Sequence, residues 1–141
     1  MVLMVKNMTS RWLFVVPIIF LAFVMGVFNL YDGIVSLSEA NSLRHLGLYE
    51  ENVYTIKDVV DSVIIKSPQH APLYFILLNF WSQLFGSDPG ILRLLSVFWG
   101  VLTVAITYRL SLEINTHRGG IYASLMVISS WSFMYYIHEI R

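Results

Sequence analysis

The stretch Ile91–Leu112, ILRLLSVFWGVLTVAITYRLSL, decides how the rest of the chain is read. Between Arg93 and Arg109 it carries no charge, and it is longer than the ~20 residues an α-helix needs to cross a hydrocarbon core. A helix satisfies its backbone donors and acceptors internally, so an apolar run of this length is expected to span a membrane. The composition agrees. Of 141 residues, 57% are hydrophobic and 13% charged, with a mean hydropathy of +0.67, whereas a soluble domain carries roughly a quarter charged residues. Aromatics at 15% suit a protein anchored at two water–lipid interfaces. Nine Lys and Arg balance nine Asp and Glu, so no net field draws in nucleic acid. The absence of Cys excludes disulfides and thiolate metal sites.

Working outward, two further runs reach the same length class. Trp12 to Leu30 is an uncharged run, apolar but for Asn29, and follows Lys6 and Arg11, which orient residues 1–11 to the cytoplasm. Ala22 to Gly26 offers no signal-peptide cleavage site, so the segment reads as a retained helix. Pro17 within it is tolerated in lipid. Ile121–Ile137 is the third span, reached through a short cytoplasmic loop, residues 113–120. The expected fold is an all-α integral membrane protein. About three transmembrane helices (12–30, 91–112 and 121–137) accompany amphipathic surface helices in the first outer loop, 31–90, and residues 138–141 return to the outer side.

That outer loop is the strongly polar part of the chain. Ile34, Leu37, Ala40, Leu43 and Leu46 predict one amphipathic helix over 34–46, with Ser38, Glu39, Asn41 and Ser42 facing away from its apolar stripe. Thr55 followed by Asp58 is the acidic form of a capping box, and it opens a second helix that Ser67-Pro68 stops. Ile56, Val59, Val60, Val63 and Ile64 form its apolar face. Such helices lie along a membrane surface or pack on each other as a small cap. Pro72 to Phe85 is apolar but would reach only ~20 Å against a core of ~30 Å. With Asn79, Ser82 and Gln83 on one side it reads as partly embedded. Gly86-Ser87-Asp88-Pro89-Gly90 then breaks the chain. Were 72–85 to cross instead, the loop at 113–120 would move to the outer side; Lys and Arg counts are the same for both arrangements.

The candidate chemistry gathers on the outer face: Glu39, His70, Glu139 and Arg141, with Tyr74, Arg93 and His138 near them in sequence. Two carboxylates with a His and an Arg suit base-assisted group transfer to or from an anionic carrier: the carboxylate takes a proton from the acceptor and the cation stabilises a departing phosphate. Charges just outside membrane helices are equally the ordinary interfacial anchors. His45 and His117 read as loop residues, and Tyr135 and Tyr136 as interface aromatics.

Several motifs, in order, carry a resemblance: Ser38-Glu39, then His70-Ala71-Pro72-Leu73-Tyr74, Leu92-Arg93-Leu94-Leu95-Ser96 and Ile137-His138-Glu139-Ile140-Arg141. Their order and spacing resemble the polyprenol-dependent C-type membrane glycosyltransferases, the glycosyltransferase family 39-like group. It includes protein O-mannosyltransferases, lipid A aminoarabinose transferases and Rgt-like sugar transferases. The resemblance implies transfer of a sugar from a polyprenyl-phosphate donor to a lipid, protein or glycan acceptor on the outer face. It also implies Glu39 as catalytic base or acid of a divalent metal site. His70 and Tyr74 would sit on the acceptor side, with Arg93, Glu139 and Arg141 toward the carrier phosphate, in a multi-pass protein of the bacterial inner membrane. Ser38 stands where the family has Asp, and a hydroxyl does not ionise near neutral pH, so either Glu39 takes over, Asp32 moves in, or the site is dead. Ala71 and Leu95 each replace a Pro. Family members continue with further membrane helices, so the expectation is an N-terminal portion, inactive alone and completed by a second chain or a longer frame. The alternative is a non-catalytic accessory or decayed membrane protein of that descent.

Overall fold

Seven helices account for nearly all of the described chain, and most of their starts are written in side chains. The computed structural model describes residues 15–28, 30–31, 35–48, 54–114 and 117–140. The helices are α1 (Val15–Val27), α2 (Leu37–His45), α3 (Ile56–Lys66), α4 (Pro72–Phe85), α5 (Pro89–Ile114), α6 (His117–Ser129) and α7 (Trp131–Tyr136). Among the described residues there is no strand, so the all-α expectation holds.

Two capping boxes open α2 and α3. Ser36 caps α2, its hydroxyl accepting from the Glu39 N–H while the Glu39 carboxylate accepts from the Ser36 N–H. Thr55 and Asp58 do the same for α3, which ends at Ser67 as its sequence predicts. Each box satisfies two of the donors a helix start leaves open. α4 begins with Pro72 at its first position, where the missing N–H costs nothing. It ends at Gly86, whose φ of 107° and ψ of 169° suit only glycine. The Asp88 carboxylate accepts from the Gly90 N–H at 2.9 Å and so starts α5.

The chain divides into two compact units, Met1–Phe28 with Val97–His138, and Asn29–Ser96 with Glu139–Arg141. In the first, Ile18 and Ala22 of α1 pack with Val104 of α5 and Ile128 of α6. Gly26 and Gly100 both abut Ile137, where an added Cβ would come within 2.9 Å and 2.8 Å of its Cδ1. Small residues at such crossings let helix backbones approach closely. The ring of His138 reaches the carbonyls of Met134 at 2.8 Å and Met25 at 2.9 Å.

In the second unit, α3 packs on α4 through Val59, Val63 and Phe75. Leu43, Leu46, Leu78, Leu92, Leu95 and Ile140 form its other core. The polar side of α4 faces this interior. Asn79 is buried and its Nδ2 donates to the Tyr54 carbonyl at 3.3 Å, and Ser82 is buried beside it. Phe80, Leu84 and Phe85 are exposed. Trp81 Nε1 donates to the Ile91 carbonyl at 2.9 Å across the Gly86 turn.

Three expectations change. α2 begins at 37 rather than 34, and its buried face is mixed: Leu43 and Leu46 are buried as expected, but Glu39 and Ser42, expected to face away, are buried with them, while Leu37 is 82% exposed. The segment 121–137 is two helices, because Ser130 accepts from the Phe133 N–H and donates to the Val127 carbonyl, ending α6 and capping α7. Finally, α5 is the one described helix long and apolar enough to cross a membrane; α1, apolar over 13 residues, is shorter, and 12–14 lie outside the described residues.

Candidate functional site

Three segments far apart in sequence close on one buried hydrogen-bonded network in the second unit. Ser36 and Glu39 come from the start of α2, Arg93 from the first turns of α5, and Glu139-Ile140 from beyond α7. Glu39 is 2% exposed and Arg93 5%. The guanidinium grips the carboxylate side-on, Nε to Oε1 and Nη2 to Oε2, each at 2.8 Å. Arg93 Nη1 donates to the Leu30 carbonyl at 2.7 Å. A planar fork on a carboxylate is the strongest common form of this pairing.

Glu39 accepts two more bonds, from the Ser36 N–H at 3.1 Å and the Ile140 N–H at 3.2 Å. Four donors therefore meet two oxygens, which fills the roughly four lone-pair positions a carboxylate offers. Burial alone would raise the Glu39 pKa. The Arg93 hydrogen bond, the Ser36 N–H, the Arg93 charge and the Ile140 N–H together outweigh it, and the group lies below its ordinary 4.5. So held, the carboxylate is a weak base with no lone pair turned to a substrate proton or a metal.

Ser36 is the hinge of the network and was not among the expected site residues. Its hydroxyl accepts from the Glu39 N–H and donates to Glu139 Oε1, both at 3.1 Å. Glu139 is buried in turn, and its carbonyl accepts from the Ser96 hydroxyl at 2.6 Å. Tyr74 joins at the edge, its hydroxyl 3.2 Å from Ser96 Oγ. The Ser36-x-x-Glu39 spacing is the sequence signal that would have found Ser36. Glu39, Arg93, Glu139 and Tyr74 are thus brought together, whereas His70 lies elsewhere, exposed beside Phe75 at 6.1 Å between rings. Arg141, like Asp32, falls outside the described residues. Among the described residues no three His, Asp or Glu side chains stand together as a metal site.

His70 shares a polar cleft with His45, which lies in α2 and not in a loop. His45 is buried on α2, its Nδ1 3.0 Å from Ser62 Oγ and its Nε2 3.1 Å from Ser67 Oγ. Burial first, then the charges of Lys66 and His70, lower its pKa below the ordinary 6.5. In the neutral ring one nitrogen donates to its serine and the other accepts. The arrangement at this face can therefore position and hydrogen-bond, while the Glu39–Arg93 pair braces the elements that carry it. Comparison with protein-family models, curated proteins and solved structures gives no match.

Proposed function

We propose that the chain is the N-terminal part of a multi-pass membrane glycosyltransferase that uses a polyprenyl-phosphate sugar donor. In this reading α1, α5 and the α6–α7 segment form about three spans. The unit of 29–96 with 139–141 faces the outer side of a bacterial inner membrane, and α4 is partly embedded. One observation carries the proposal: Glu39, Arg93 and Glu139-Ile140, which come from three of the motifs on which the resemblance rests, meet in a single buried network with Ser36 between them. A chance likeness of scattered motifs gives no reason for them to touch. The exposed Phe80, Leu84 and Phe85 of α4, set against its buried Asn79 and Ser82, also suit an apolar surrounding.

Within this reading Glu39 and Arg93 are positioning residues. They fix the start of α2, the start of α5 and the segment at Ile140 relative to one another. His70 and Tyr74 remain on the acceptor side and Arg141 toward the carrier phosphate. A second chain carrying further helices would complete the donor cavity. The saturated Glu39 and the Ser38 hydroxyl favour a second reading, in which the chain is a non-catalytic accessory of such an enzyme.

The test is photolabelling of the chain in membranes of its source cells, where the completing helices are present, with a photoreactive polyprenyl phosphate. The transferase reading expects labelling that polyprenyl-phosphate hexose displaces and the matching polyprenol does not. Equal displacement by phosphate and alcohol, or labelling no stronger than that of an unrelated membrane protein, would overturn it and leave the accessory reading.

A further inference from the structure

We propose that the cleft between the last turns of α2 and the turn at Ser67–His70 binds a neutral, polyhydroxylated ligand, a short glycan. The cleft measures about 440 Å³, inside the roughly 300–1,000 Å³ of small-molecule sites. Every residue lining it belongs to the second unit.

Its chemistry follows from what lines it. None of the lining residues is Asp, Glu, Lys or Arg. A phosphate would find no Lys or Arg in the lining, and a cation no carboxylate. What the cleft offers is side chains that both donate and accept: the amides of Asn41 and Gln69, the Ser67 hydroxyl and the His70 imidazole. Ring hydroxyls of a sugar also do both, and they match such groups without requiring charge. The floor is fixed before any ligand arrives. His45 is 4% exposed and braced by Ser62 and Ser67, and Phe75 meets its ring edge-on at 5.2 Å between centroids. Burial keeps His45 toward its neutral form. Asn41, Gln69 and His70 are exposed at the rim.

The inference stands apart from the transferase reading, since a glycan-binding face is as useful to an accessory protein. The experiment is saturation-transfer NMR on the full chain in nanodiscs, with methyl hexosides and neutral disaccharides as probes and glycerol 3-phosphate as the anionic comparator. Transfer to at least one neutral saccharide is expected. Affinity should fall roughly three- to tenfold in Asn41→Ala and in Gln69→Ala, the loss of one neutral hydrogen bond each. Both side chains are exposed, so neither change threatens the fold, and Lys57→Ala on the far part of α3 should bind as the parent does. No transfer to any neutral saccharide would overturn the proposal. So would transfer that both variants leave intact, or stronger transfer to glycerol 3-phosphate. Polyprenyl-phosphate labelling can fail while this binding holds, and the reverse, so the two readings are separable.

Discussion

Glu39 and Arg93 are each unaffordable alone in the interior of the second unit. Removing one partner of a buried pair leaves an uncompensated charge and costs about 3–5 kcal/mol. Glu39→Ala and Arg93→Ala should each lower stability by about that amount in chemical unfolding from micelles. The double variant should lose at least about 2 kcal/mol less than the sum, because no charge is then left stranded. Additive losses would mean that the two side chains do not act as a pair. His45 supplies a second residue-scale expectation. Its pKa is lower folded than unfolded, so the unfolded chain binds the extra proton and stability is lost as pH falls below about 6.5. Glu39, also lowered, adds a loss that begins only near 4.5. His45→Gln should remove the first loss in a thermal-unfolding pH series and keep the second. Neither residue was legible as buried. Periodicity assigns Glu39 to a solvent face because it scores polarity, and the Arg93 that reverses the assignment lies 54 positions away.

Elements were more legible than residues wherever a local signal sets them. Thr55 with Asp58 fixed the start of α3, and Pro72 with Gly86 bounded α4 at its observed ends. The start of α2 was missed because an apolar stripe outweighed the Ser36-x-x-Glu39 box. The break at Ser130 was missed because an apolar run hides a serine that bonds to its own backbone. The turn at Gly86 gives a prediction at this scale. An added Cβ has room there, with Ile91 Cδ1 at 3.7 Å, but the backbone angles are those of glycine. Gly86→Ala should therefore destabilise by about 1–3 kcal/mol through strain alone. An unchanged midpoint in chemical unfolding would show that the turn relaxes at no cost.

For the whole molecule, composition points to a membrane and one described helix is long and apolar enough to cross one, but sidedness was not legible, because the Lys and Arg counts are the same in both arrangements. The proposed chemistry needs the loop helices on the outer face and residues 113–120 inside, with α5 crossing between them and α4 not crossing. The chain has no Cys, so single cysteines report position without background. The decisive measurement is labelling of Lys57→Cys and Arg118→Cys, both at exposed positions, with a membrane-impermeant maleimide on intact cells. The account predicts that the cysteine at 57 reacts at once and the one at 118 only after permeabilisation. Equal labelling of both from outside would contradict it, making α4 a crossing helix and returning residues 113–120 to the side of α3.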